Sequence, residues 1–235
     1  YNERSERATI TGGAELELRM GPDTLFLHGD SLFTTPGNTG KVVRAYRHVR
    51  FFRHDLQGAC DTLVFNEADS LIELFHNPVL WSGSDQITGD RIRITLRDGK
   101  AHSLHVQQNA FLVSQVDTMY FDQVSGKEMT GHFDGDGLRT LFVEGNARTV
   151  YFAIETQQGE DRIIGVNRAD CSRIRVHLAN GKVDTVTFLD RPDAILYPLE
   201  KAPANELRML GSDWRNAERP KNRVDIFQLA WPTAP

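Results

Sequence analysis

Cysteine is scarce: Cys60 and Cys171 are the two thiols in 235 residues. No CxxC or Cys/His spacing of a zinc site exists, which excludes a zinc-built or disulfide-dense scaffold. Two thiols so far apart read as small buried hydrophobes, or as one disulfide if the compartment is oxidising. Long apolar runs are missing too, and nothing approaches the ~18 uncharged residues of a membrane helix. Basic charge is not in excess. Lys+Arg number 27 against 32 Asp+Glu, a formal net charge of −5, which excludes a general nucleic-acid-binding surface. HExxH, GxSxG, GxxxxGK(S/T) and GxGxxG are all absent, so no metalloprotease, serine hydrolase, P-loop or dinucleotide signature stands here. The chain begins at Tyr1 without Met or a visible signal peptide, which suggests a trimmed form. A hydrophobic content of 40 % with 25 % charged residues is that of a globular chain.

What is present has a period of two. Residues 91–96 read Arg-Ile-Arg-Ile-Thr-Leu and residues 173–178 read Arg-Ile-Arg-Val-His-Leu. Such alternation predicts strands with one buried and one wet face. Both run into a hairpin signal, Asp98-Gly99 and Asn180-Gly181. The two stretches are also copies: residues 90–108 align without gaps on 172–190, matching at Arg91/Arg173, Ile92/Ile174, Arg93/Arg175, Leu96/Leu178, Gly99/Gly181 and Lys100/Lys182. A second landmark, a turn-forming or polar residue before a short apolar strand, recurs at Gly13, His48, Asn77, Asn109, Asn146 and Asp193. A third opens units as Gly29-Asp30, Cys60-Asp61 and Gly89-Asp90. Self-similarity of this kind marks a repeat architecture. Each unit of roughly thirty residues is expected to run strand, turn, strand, turn, with longer connections at residues 115–130 and 155–166. No long helical pattern precedes residue 200. Residues 7–198 are read as one β-repeat domain. Residues 199–235 are read as a C-terminal capping tail, with a helical turn near 205–210 and Trp214, Arg219-Pro220 and Trp231-Pro232 wrapping over the repeat.

Catalytic candidates fail one by one. Asp134-Gly135-Asp136-Gly137 opens like a calcium loop, but Arg139 and Gly145 stand where a later Gly and Glu are required, so a hairpin is expected. His102 and His105 are three apart, which puts them on opposite faces of a strand and disfavours a shared metal. Carboxylate pairs such as Glu67/Asp69 sit at turn-like positions. Arg91, Arg93, Arg173 and Arg175 point outward, either as a solvated face or as contacts for phosphates or carboxylates. The apolar stripes also have two readings: a closed core, or sheets that splay apart and admit an acyl chain, each sheltered CH₂ contributing ~0.8 kcal/mol.

The Gly-Asp-x-Leu/Ile opening, the Asp-Gly-Lys turn and the Asn-Ala/Pro-apolar-apolar close resemble the OstA-like family, the periplasmic lipopolysaccharide-transport proteins of the LptA type. The resemblance covers residues 7–197 and is carried best by Thr88-Gly89-Asp90-Arg91-Ile92 and Gln107-Gln108-Asn109-Ala110-Phe111-Leu112. It implies an all-β, repeat-built, antiparallel folded-over double sheet, a β-jelly roll or β-taco. It implies a periplasmic, non-enzymatic protein without cofactor or metal, whose interior shelters the acyl chains of lipopolysaccharide. The interior positions would be Phe51, Leu63, Leu80, Ile92, Ile94, Leu104, Val106, Leu112, Ile174, Val176, Val186 and Phe188. Implied partners are lipid A and other transport components joined through terminal strand edges, with head-to-tail self-association and no nucleic acid. Residues 7–20 begin mid-repeat, which suggests an upstream strand supplied by a partner. Two rival expectations stand beside this one. An extracytoplasmic β-repeat scaffold binding protein or glycan on its exterior would expose an aromatic stripe, at which Phe52, Trp81 and Tyr197 hint. A polysaccharide-acting enzyme would need clustered carboxylates in one groove, and no such cluster is evident in the sequence.

Overall fold

Alternation of apolar and polar residues produces fourteen strands in the computed structural model, which describes residues 7–20, 23–37, 39–134, 137–157, 159–179 and 182–228. They are β1 (Ala8–Met20), β2 (Asp23–Gly37), β3 (Gly40–Arg53), β4 (Leu56–Asn66), β5 (Leu71–Phe75), β6 (Val79–Ser82), β7 (Asp85–Thr88), β8 (Arg91–Arg97), β9 (Lys100–Gln115), β10 (Phe121–Asp134), β11 (Gly137–Gln157), β12 (Glu160–Ala179), β13 (Lys182–Leu189) and β14 (Asp193–Pro198). All pairings are antiparallel and form one sheet in the order β1-β2-β3-β4-β5-β8-β9-β10-β11-β12-β13, with β6 bridging β4 to β7, β7 bridging to β9, and β14 on β12. The hairpin at Asp98-Gly99 has positive φ at both residues, 52° and 76°, as a two-residue turn of this hand requires. Asn180-Gly181, Gly135-Asp136 and Trp231-Pro232 lie outside the described residues.

The landmarks read from sequence as turns between strands are not all turns. At most passes they are bulges in the middle of long strands, where the register jumps: Thr11 to Ala14, His28 to Ser31, Tyr46 to Val49, Ser125 to Glu128 and Glu144 to Ala147; at Asn77, Gly89-Asp90 and Asp193 the strand is interrupted and the expected turn between strands is found. On alternate passes two successive residues take positive φ: Gly12-Gly13, Arg47-His48, His76-Asn77, Gln108-Asn109, Gly145-Asn146 and Asp190-Arg191. A bulge bends its strand and sharpens its twist, so a line of them creases the whole sheet. The facing passes carry Gly29, Cys60, Gly89, Gly126 and Cys171 at the crease. Space explains two of the glycines: a Cβ at Gly89 would lie 2.3 Å from Val106 Cγ1, and one at Gly126 2.4 Å from Val143 Cγ1. The thiols are free and occupy equivalent crease positions, Cys60 donating to Thr62 O (3.3 Å) and Cys171 to Arg173 O (3.1 Å).

The crease divides the sheet into two arms that close on each other. One arm holds residues 14–20, 23–29, 49–60, 79–88, 110–126, 147–157, 159–171 and 193–198. The other holds 8–11, 31–37, 39–46, 62–75, 91–107, 128–134, 137–144, 173–179 and 182–189. The main apolar cluster draws on both: Leu27, Phe51, Leu80 and Leu112 from the first, Leu63, Ile92, Leu104 and Val143 from the second. The expected all-β, antiparallel, folded-over double sheet is therefore the architecture found. Of the two long insertions read from sequence as extended connections that add strand length, residues 155–157 and 160–166 do lengthen β11 and β12, and the connection after β9 is confined to residues 116–120.

The outer faces of the arms differ. Residues 199–228, containing three 3₁₀ turns and the short helix α1 (Asp225–Gln228), run across the outside of the first arm. Four residues before each crease Gly or Cys is an inward position, and three before it is an outward one that meets this strap. From the C-terminal end, Arg168 pairs with Glu206 at 3.2 Å. Gln123 donates to Leu207 O (3.1 Å) and accepts from Met209 N (2.7 Å). Gln86 donates to Asp213 O (2.6 Å) and accepts from Arg215 N (2.6 Å). Gln57 accepts from Arg219 Nε and Nη2 at 2.9 and 2.6 Å, and Phe26 lies under the Arg223 guanidinium at 4.6 Å. The Gln86 and Gln123 amides each grip the strap backbone on both sides of one residue, as a neighbouring strand would, while Gln57 holds the Arg219 side chain. The first arm is the strapped arm, the second the bare arm.

Candidate functional site

The space between the arms is the candidate site. Ten of the twelve positions expected in the interior are closed off there: Phe51, Leu80, Ile92, Ile94, Val106, Leu112, Ile174 and Val176 at 0 % exposure, Leu63 and Leu104 at 1 %. Val186 and Phe188 are half-buried and pack against the same cluster, because β13 is an edge strand. All twelve belong to one continuous apolar seam. The exterior aromatic stripe does not form: Trp81 is fully buried, its Nε1 donating to Gln86 Oε1 (3.3 Å), and Tyr197 packs in the cluster under the strap with Met209 and Trp214. Phe52, the third of these aromatics, is half-buried along a groove shared with Asn216, Arg219 and Pro220.

The seam is shut at the mouth, the side opposite the crease. Arg53, 1 % exposed, lies in the β3–β4 hairpin of the strapped arm. Its Nε and Nη2 donate to Asp55 at 2.6 and 2.7 Å, and its Nη1 donates across the mouth to Gly99 O at 2.6 Å. A buried charge needs its partners, and here one of them belongs to the opposite arm.

At both ends the seam reaches free strand edges. Among the described residues β1 is the edge at the N-terminal end, and β13 and β14 are the edges at the other. Ile195 and Leu196 on β14 are 51 % and 63 % exposed.

The inner face of the strapped arm is not uniformly apolar. The inward column four residues before the crease reads Leu25, Leu56, Asp85, Asp122 and Asn167. Asp85 and Asp122 both pair in register with Ser114, on the two strands that flank it, and Tyr151 pairs with Asn167 in the same row. Asp85 is 2 % and Asp122 7 % exposed. Burial pushes both carboxyls up to about 7. The Ser114 hydrogen bond and the Arg219 charge oppose this at Asp85; the Phe152 N–H, donating to Asp122 Oδ1 at 2.8 Å, opposes it at Asp122, while the Asp85 charge adds to it. Tyr151 is raised by burial first, then by the charges of Asp122 and of Asp184 on the bare arm. Asp85 Oδ1 and Thr149 Oγ1 have no hydrogen-bond partner among the described residues. The sequence held a signal for this pair: Asp85-Gln86-Ile87-Thr88-Gly89 and Asp122-Gln123-Val124-Ser125-Gly126 are one motif used twice. No group of three or more metal-ligating side chains forms among the described residues.

Outside the crease a polar groove of about 820 Å³ runs between the bulges and Leu210-Gly211 of the strap, with Asn109, Lys127, Asn146 and Arg148 along it. The expected outward arginines are confirmed in place: Arg91 and Arg93 both reach Glu73, the second at 3.1 Å, and Arg175 covers Phe142 at 4.8 Å.

No protein-family model matches the chain, and no curated protein sequence is similar to it. Its structure is similar to the crystal structure of LptH, the LptA-homologous periplasmic component of the conserved lipopolysaccharide transport device from Pseudomonas aeruginosa. The identity is 11 % and the TM-score 0.46, over 61 % of this chain and 95 % of that one.

Proposed function

We propose that this chain is a periplasmic, non-enzymatic carrier that shelters the acyl chains of lipopolysaccharide between its two arms. The observation that supports this most is the continuous apolar seam, lined by all twelve motif-derived positions and running from one free sheet edge to the other. A fourteen-carbon chain moved into such a seam gains on the order of 10 kcal/mol before ordering costs. That gain works against the cost of releasing the Arg53–Gly99 contact and parting the arms, and the acyl chain re-covers the apolar surface that parting exposes. Polar sugars and phosphates would stay outside the mouth. The free edges of β1, β13 and β14 would receive strands of other transport components or of a second copy, the use to which an unguarded edge lends itself.

The test is binding of purified lipopolysaccharide followed by photocrosslinking from single sites. Crosslinks from Phe51, Leu80, Leu112 and Phe188, with none from Arg91 or Arg173, are expected. A folded preparation that binds no lipopolysaccharide, or that crosslinks from the outward arginines alone, would overturn the reading.

A further inference from the structure

The inner mouth of the strapped arm carries two carboxyl groups that the fold does not require. Leu25 and Leu56 fill the equivalent positions in the first two units and are 1 % exposed each, so the same backbone accepts an apolar side chain there. Burying a carboxyl costs free energy unless a donor satisfies it, and a well-packed Leu would cost nothing of the kind. Asp85 and Asp122 nevertheless stand side by side with Ser114 between them, one carboxyl oxygen of Asp85 without a donor and the Thr149 hydroxyl oxygen likewise. Adjacent strands are ~4.8 Å apart, so the two Cα atoms lie about 10 Å from each other. Asp122 turns one oxygen away from Ser114, to the Phe152 N–H on β11, so the acceptors left without a donor among the described residues are one oxygen of Asp85 and the Thr149 hydroxyl.

The surroundings select its charge. Around the pair on the strapped arm stand neutral Ser114, Thr149, Tyr151 and Asn167. From the bare arm Asp184 acts on Tyr151, and the cation acting on Asp85 is Arg219 of the strap, which is engaged with Gln57 and Gly83 O. The buried cation of the same inner row, Arg53, is paired with Asp55 at 2.6 Å, so the two carboxyls set the sign of the bay, which disfavours phosphate and favours an ammonium group with its three donors.

We propose that Asp85, Asp122 and Ser114 form a recognition bay for a primary ammonium group carried by the sheltered amphiphile. This rests on the acyl-sheltering reading and adds to it which headgroup chemistry is held inside the mouth rather than outside. Because both carboxyls titrate near neutrality, an arriving ammonium drives them to ionise, and protons are released on binding.

The test titrates the whole chain with tetradecylamine, tetradecanol and tetradecyl phosphate below their micelle concentrations, by calorimetry in buffers of different ionisation enthalpy. The expected result near pH 7 is an affinity for the amine roughly tenfold or more above that for the alcohol, with proton release seen for the amine alone. Asp85→Asn with Asp122→Asn should bring amine and alcohol to parity. Asp85→Leu with Asp122→Leu, the residues this chain itself uses at 25 and 56, should do the same in a chain that folds. Equal binding of amine and alcohol by the native chain, or tightest binding of the phosphate, overturns the bay and leaves the shelter standing. Persistence of the amine preference in the double variants also overturns it. Binding of none of the three overturns the shelter and the bay together.

Discussion

The two arms share a backbone plan and differ in what lies behind them. The strapped arm is sandwiched: apolar residues face the seam, Val113, Val150, Phe152 and Val166 on its reverse pack against Leu199, Leu207, Met209 and Trp214, and Trp81 is buried with Ala59 and Val79 beside Gln86, which holds the strap. The bare arm is a single layer whose reverse carries ion pairs such as Glu73 with Arg91 and Arg93. Exposed pairs of that kind contribute little to stability, whereas a second buried face contributes through every apolar side chain it removes from water. If the arms part to take a ligand, the bare arm is the one that moves, swinging on the crease while the strap holds its neighbour flat.

That comparison can be broken experimentally. The largest expected effect is at Trp81, fully buried in the strapped arm: Trp81→Ala should cost about 3–5 kcal/mol of unfolding free energy, read by urea denaturation. Acidity comes next. Asp85 and Asp122 titrate higher folded than unfolded, so the folded chain binds more protons between about pH 4 and pH 7. Stability should be greatest below that window, fall as pH rises through it, and change no further from this source above it. Asp85→Asn with Asp122→Asn should flatten the fall, and an unchanged profile would show that the carboxyls are not buried as described. Gln86→Ala should cost about 1–3 kcal/mol, because Asp213 O and Arg215 N lose their partner. Hydrogen exchange at the Arg215 amide should quicken while amides of the bare arm keep their protection. Smallest is Glu73→Ala on the bare arm, expected to cost no more than about 1 kcal/mol. A cost at Glu73 equal to that at Trp81 would erase the distinction between the arms.

Much of this was legible in the sequence, and the failures have physical reasons. Alternation around Ile92 and Ile174 located the seam, and Gly13, His48, Asn77, Asn109 and Asn146 located the crease. The nature of all but Asn77 was misread because residues with positive φ serve bulges as well as turns, and local chemistry does not tell the two apart. Leu196 shares the repeat position of Leu112 yet is 63 % exposed, because β14 is an edge strand and has no neighbour to cover it. Asp85 and Asp122 were passed over although their pentapeptides repeat, since a carboxylate beside a hairpin ordinarily faces water. The path of the strap has no period of its own. It follows the outward column Phe26, Gln57, Gln86, Gln123 and Arg168, which becomes visible only when the strands are laid side by side.

The central claim is that the arms part to admit acyl chains. His54 and Asp98 sit exposed on the two hairpins that Arg53 ties together across the mouth. With Cys60 and Cys171 replaced by Ala, spin labels at positions 54 and 98 report the width of the mouth by pulsed electron–electron resonance. Addition of lipopolysaccharide should lengthen that distance, while a pair of labels placed within the strapped arm stays fixed. An unchanged distance in a chain shown to have bound lipopolysaccharide would contradict the claim and leave the seam as a closed core.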